Sequence, residues 1–170
     1  MTDIDVVLLH PLAQIPHYAQ PGDAGADLSC VEHVSLKPGQ RELIATGVAI
    51  AIPDGHVGLI HPRSGLATKI GLGIVNAPGT IDSGYRGEIK VCLINLDSQN
   101  AIELEPGTRI AQLVVQRVEQ ASFRTVAQLD ETARGAEGFG STGLLAHQES
   151  RQADPQLHKR RHDDFDELSD

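Results

Sequence analysis

Arg41-Glu-Leu-Ile-Ala-Thr-Gly-Val-Ala-Ile-Ala-Ile-Pro-Asp-Gly-His-Val-Gly-Leu-Ile-His61 decides the fold. Val48, Ile50 and Ile52 recur at period two, Pro53-Asp54-Gly55 carries turn chemistry, and His56–His61 resumes an apolar run. The stretch therefore predicts strand, tight turn, strand. Similar punctuation lies on both sides of it, at Pro21-Gly22-Asp23, Pro38-Gly39, Pro78-Gly79, Asp82-Ser83-Gly84 and Pro106-Gly107. Only short segments fit between such turns. Asp5–His10, Val34–Leu36, Arg41–Ile52, His56–His61, Glu88–Leu96, Ala101–Leu104 and Arg109–Val118 are the predicted strands. Helical signal is confined to Ser64–Ile70, with a weaker one at Thr125–Glu131. With no βαβ alternation, a mainly β sandwich or barrel follows.

In Glu88–Leu96, Ile89, Val91 and Leu93 share one face while Cys92, Ile94 and Leu96 share the other. Such a strand is expected to be buried on two sides, as the centre of a sandwich or as a surface closed by another subunit. The 170 residues are about one domain's length, and 40% hydrophobic residues supply one core. With no Trp, two Tyr and three Phe, that core must be aliphatic. Beyond Leu145 the composition changes. Residues 146–170 hold no Val or Ile and run through Lys159-Arg160-Arg161 into a cluster of acids, a pattern that predicts a polar, disordered tail.

Charge excludes some partners. Fourteen Lys and Arg face 23 Asp and Glu, a net −9 that repels a polyanion or an anionic membrane at long range. A small anion can still bind through a few local Arg side chains and backbone N–H groups. No segment reaches the length of a membrane helix, and Met1–His10 carries acids where a secretory signal carries positive charge. Cys30 and Cys92 lack metal or redox spacing and read as small buried residues in a reducing compartment, so the cytoplasm is the expected location.

Three segments carry candidate chemistry. Pro62-Arg63-Ser64-Gly65 follows an apolar strand and precedes the one helical turn, placing a guanidinium, a hydroxyl and exposed N–H groups together. That outlines an anion site, although Ser64 is also an ordinary helix N-cap. Asn76-Ala-Pro-Gly-Thr-Ile-Asp-Ser-Gly-Tyr85 puts an amide, a carboxylate and a phenol on one tight loop or hairpin. Asn76 offers both donor and acceptor to a base edge, Tyr85 offers a flat face, and Asp82 can act as general base, while Asp82-Ser83-Gly84 alone is simply a turn. Third, Arg134-Gly-Ala-Glu-Gly-Phe-Gly-Ser-Thr-Gly143 matches a dinucleotide fingerprint by letters. It lacks the strand-turn-helix context and the phosphate-loop lysine. What remains is either a floppy terminus or a flexible arm able to close over a phosphate ligand.

In order along the chain, Pro21-Gly-Asp-Ala-Gly-Ala-Asp-Leu28, Pro62-Arg-Ser-Gly-Leu-Ala67, Gly73-Ile-Val-Asn-Ala-Pro-Gly-Thr-Ile-Asp-Ser-Gly-Tyr-Arg-Gly-Glu88, Gly107-Thr-Arg-Ile-Ala-Gln-Leu113 and Arg134–Gly143 resemble the five motifs of trimeric dUTP diphosphatases. The resemblance covers residues 4–143 and omits the tail. It implies an all-β, jelly-roll-like subunit with one short helix, a homotrimer, and active sites assembled from three chains. It further implies a β domain over 1–133, a closing arm over 134–145 and the polar tail over 146–170.

By the same resemblance, Asp82 activates water for attack at the α-phosphorus of dUTP, giving dUMP and pyrophosphate. This would limit uracil incorporation into DNA and supply dUMP. Arg63, Ser64 and Gly65 would hold the phosphates with Gln112 alongside. Asn76, Gly79, Thr80, Ile81, Tyr85 and Lys90 would bind the rest of the substrate. From the arm, Arg134, Phe139, Gly140 and Ser141 would join them, with Phe139 stacking on the base. Asp27 would steer the Mg2+-bound triphosphate through water, the metal entering on dUTP rather than in a carboxylate cage. The implied partners are thus dUTP with Mg2+ and further copies of the chain, with no nucleic acid and no membrane. Two competitors stand beside this reading: a dCTP deaminase of the same fold, and a non-catalytic trimeric nucleotide-binding module. Asp82 in its Thr80-to-Tyr85 setting argues against the first, and Asp82 together with the arm argues against the second.

Overall fold

The computed structural model describes residues 2–133 and 135–136. Two four-stranded antiparallel sheets and a two-stranded ribbon account for its strands. The first sheet has the order β1 (Asp5–Leu8), β4 (Arg41–Ala51), β8 (Glu88–Asn95), β6 (Leu72–Ile74). The second has the order β2 (Ala26–Ser29), β10 (Arg109–Arg117), β5 (His56–His61), β7 (Gly79–Ile81). The ribbon pairs β3 (Val34–Leu36) with β9 (Ile102–Leu104). Sequence neighbours repeatedly fall in different sheets, giving the sandwich expected from the short strands and frequent turns in the jelly-roll-like form that the resemblance implies. All seven predicted strands form, most a residue or two shorter than predicted.

Strands β2, β6 and β7 are additional to those predicted. Each has only three or four residues, and they contain Asp27, Gly73 and Gly79, too little sequence for an alternation to register. Helix α1 (Ser64–Ile70) forms where predicted. The second expected helix does not: Val118–Ala133 contains no helix or strand. An isolated turn of helix needs a buried apolar face to survive, and here Phe123 is 94% and Leu129 81% exposed.

The core between the sheets is aliphatic throughout, built around Leu28, Leu36, Ile44, Ile52, Ile89 and Leu93. Truncating one of these fully buried side chains to Ala costs about 2–5 kcal/mol. Buried polar groups are matched. Thr46 Oγ1 donates to the Ile89 carbonyl at 2.6 Å, and Asn95 Nδ2 donates to the carbonyls of Leu36 and Asn100, both at 2.9 Å. Cys30 is buried, its thiol pKa raised by desolvation, whereas Cys92 is half-buried; neither forms a disulfide.

The two-faced strand is buried on one side only within a single chain. Ile89, Val91 and Leu93 face the core, while Cys92 and Ile94 on the other face are half-buried and Leu96 just beyond β8 is 67% exposed. Leu43 lies directly opposite Cys92 in the register and is also exposed. The outer face of the first sheet thus carries an apolar strip.

The chain divides into two units, Met1–Phe123 and Arg124–Asp170. In the described part of the second, a turn closes with Gly135 N–H donating to the Thr132 carbonyl at 3.0 Å.

Candidate active site

Two clefts gather the residues singled out from the sequence. The first, of about 650 Å³, is lined by Asn76, Gly79, Thr80, Ile81, Asp82, Tyr85 and Lys90. Their segment crosses between the sheets rather than forming a hairpin: β6 pairs with β8 in one sheet and β7 with β5 in the other. Asp82 stands immediately after β7, exposed, and its carbonyl accepts the Tyr85 N–H at 3.0 Å to close a turn. Tyr85 is pinned there, its hydroxyl donating to the Glu88 carbonyl at 2.9 Å. A Cβ on Gly87 would lie 2.5 Å from that hydroxyl oxygen, so only glycine lets the ring take this position. Lys90 Nζ is 3.5 Å from Glu88 Oε2, and Glu88 Oε1 accepts the Gly47 N–H at 2.8 Å. Asn76 precedes the cis Ala77–Pro78 bond and is exposed.

The second cleft, of about 490 Å³, is lined by Asp27, Arg63, Ser64, Gly65 and Gln112, together with residues the sequence reading passed over: Asp23, Lys69 and Arg109. Its centre is Asp27, only 7% exposed. Arg63 Nε lies 2.9 Å from Asp27 Oδ1, and Arg109 Nη1 lies 2.9 Å from Asp27 Oδ2. Paired guanidinium groups are what allow a carboxylate to sit so deep. Arg63 Nη1 also donates to the Arg109 carbonyl at 3.3 Å. Gln112 Nε2 donates to the Pro62 carbonyl at 3.0 Å, fixing the corner where β5 turns into α1.

Ser64 is not the N-cap. Arg63 holds that position, extended at φ −92° and ψ 121°, with no side-chain capping bond. Ser64 is the first helical residue, and it and Gly65 are exposed. The first N–H groups of a helix have no intrahelical acceptor, so this corner presents donors beside a guanidinium.

Arg109 reaches Asp27 because of an irregularity in β10. Arg109 pairs with Ser29 and Gln112 with Asp27, with one extra residue inserted in β10 between Arg109 and Ala111. Ile110 and Ala111 are both buried, and the bulge turns Arg109 onto the face of Gln112. The signal for Arg109 was present in Gly107-Thr-Arg109; its partner, 82 residues away, was not.

The two clefts have no lining residue in common. Among the described residues, no group of three or more His, Cys, Asp or Glu side chains converges to hold a metal ion. Arg134, Phe139, Gly140 and Ser141, and the rest of the proposed arm and tail apart from Gly135 and Ala136, lie outside the described residues.

The dUTPase family pattern matches residues 12–143. This chain belongs to the dUTPase family. The deoxyuridine 5'-triphosphate nucleotidohydrolase of Rhodococcus erythropolis is 62% identical over 135 residues, 79% of this chain and 82% of that protein. The protein of the same name from Nocardia farcinica is 60% identical over 143 residues, 84% of this chain and 87% of that one. Among solved structures, a mutant dUTPase of Staphylococcus bacteriophage 80alpha with dUpNHpp superposes with a TM-score of 0.80 at 30% identity, covering 85% of this chain and all of that one. A mutant dUTPase of phage phi11 of S. aureus, described with a structural Mg(II) ion, superposes at 0.71 and 28% identity, covering 76% of this chain and all of that one. No helix among the described residues is long and apolar enough to cross a membrane.

Proposed function

We propose that the protein hydrolyses dUTP to dUMP and pyrophosphate. The observation that supports the mechanism is the division of the candidate residues between two clefts, one lined by Asn76, Asp82 and Tyr85, the other by Arg63, Ser64, Gly65 and Gln112. The α-phosphorus lies between the nucleoside and the β,γ-phosphates, so a substrate must engage both sets at once. A homotrimer in which one copy's nucleoside cleft meets another copy's phosphate cleft does this. The outer strip of exposed Leu43 and Leu96 with half-buried Ile94 supports such a contact.

In this reading Asn76 reads the uracil edge with donor and acceptor, and cytosine leaves a group unpaired where an amine replaces a carbonyl. The pinned Tyr85 ring closes off the sugar on the side of the 2′ position. Asp82 accepts the proton of the attacking water while Arg63, Ser64, Gly65 and Gln112 hold the phosphates that leave as pyrophosphate. Arg134 and Phe139 of the arm add a charge and a stacking ring. Magnesium arrives with the triphosphate, as part of the substrate. Each Asp27 oxygen gives one acceptor direction to a guanidinium and keeps another, which suits a water-mediated contact to that metal rather than direct ligation. The cytoplasm is the proposed location.

Product analysis with Mg2+ and dUTP, dCTP, dTTP and UTP in parallel tests this. The expected result is dUMP and pyrophosphate from dUTP, with the other three turned over poorly. Ammonia from dCTP, or binding without turnover of dUTP, overturns the reading.

A further inference from the structure

We infer that Arg109 is a positioning residue for the phosphate cleft: its guanidinium, brought onto the cleft face by the β10 bulge, fixes Asp27, and Asp27 aims Arg63. The inference rests on the assignment of that cleft to the triphosphate. Arg63 is committed to Asp27 through Nε at 2.9 Å and to the Arg109 carbonyl through Nη1 at 3.3 Å. Both contacts lead to Arg109, one through the carboxylate and one through its backbone. The remaining N–H directions of Arg63 are therefore held toward the cleft by a frame that Arg109 completes. Without Arg109, Asp27 is a buried carboxylate with one cationic partner, free to pull both acceptor oxygens onto Arg63. A guanidinium drawn fully onto Asp27 in a forked pair is turned away from an incoming anion.

The geometry distinguishes the two arginines. Arg109 touches Asp27 through a single nitrogen, so a lysine at 109 can serve as the second cation. Arg63 uses two different nitrogens in two directions, which a lysine cannot reproduce.

Calorimetric binding of magnesium pyrophosphate, measured beside dUTP turnover and a melting curve, tests the inference in wild type, Arg109→Gln, Arg109→Lys, Arg63→Gln and the Arg63→Gln/Arg109→Gln double variant. Arg109→Gln is expected to weaken pyrophosphate binding about 5- to 50-fold and to lower kcat/KM about 10- to 100-fold. Arg109→Lys is expected to recover most of both. Because Arg109 acts through Arg63, the double variant is expected to match Arg63→Gln within about twofold. Multiplicative losses in the double variant, or unchanged binding in Arg109→Gln, overturn the inference. If Arg109→Gln does not fold, Asp27→Asn/Arg109→Gln, which removes the buried charge as well, is compared with Asp27→Asn. Equal binding is expected there, and a further loss overturns the inference. Failure of dUTP hydrolysis in wild type overturns the functional reading, while pyrophosphate binding and the additivity comparison still decide the role of Arg109.

Discussion

A Cβ atom on Gly25 would stand 2.4 Å from Oε1 of Gln112 and 3.0 Å from its Cβ and Cδ. Gly25 is therefore the space in which Gln112 lies while it holds the Pro62 carbonyl. Overpacking costs about 1–3 kcal/mol where neighbours cannot yield, but the end of a glutamine side chain can swing away. Gly25→Ala is expected to lower the melting temperature slightly and dUTP kcat/KM about tenfold, as the corner before Arg63 loosens. In a Gln112→Ala background the same change should have little further effect on turnover. Independent losses in the pair would show that Gly25 acts by another route.

Asp82→Asn keeps the turn, because the bond from Tyr85 N–H uses the backbone carbonyl of residue 82 and asparagine suits turns. The amide cannot take the proton of the attacking water. A fall in kcat of about 10²–10⁴-fold is expected, with dUpNHpp affinity and melting temperature near those of wild type. Near-normal turnover would move the base elsewhere.

Ile94→Arg places a charge in the middle of the outer strip of the first sheet, on a side chain half-buried in the single chain. Light scattering is expected to show a trimer for wild type and a monomer for the variant, with dUTP hydrolysis lost as the two clefts separate. A variant that remains trimeric would locate the subunit contact on another face.

Asp97 offers a pH test. Its carboxylate accepts the N–H groups of Gln99 at 2.8 Å and Asn100 at 2.7 Å. These bonds, that of Asn100 foremost, hold its pKa below the ordinary Asp value of 3.8. A lowered folded-state pKa means the stabilisation is complete above the unfolded value and is lost as pH falls through the folded one. The stability gap between wild type and Asp97→Ala, from urea unfolding, should therefore be constant near neutrality and shrink below pH 3.8. A gap that does not narrow in acid would mean that Asp97 acts through something other than its charge.

Much of this protein was legible from local chemistry. Alternating Val and Ile around Pro and Gly turns specify short strands wherever one face must be buried, so seven strands and α1 could be placed from sequence alone. The aliphatic core followed from a chain almost without aromatics. The resemblance carried by the five ordered motifs pointed to Arg63, Asn76, Asp82 and Gln112, and all four line one or other of the two clefts. Tertiary structure decided what depends on pairing between distant segments. Strict alternation puts Arg109 and Gln112 on opposite faces of β10, and only the register against β2 reveals the extra residue that brings them together. The Asp27–Arg109 contact spans 82 positions and leaves no periodic trace. The helix expected at Thr125–Glu131 failed for the same reason in reverse: propensity can suggest a turn of helix, but without a surface to bury its apolar residues nothing offsets the entropy of forming it.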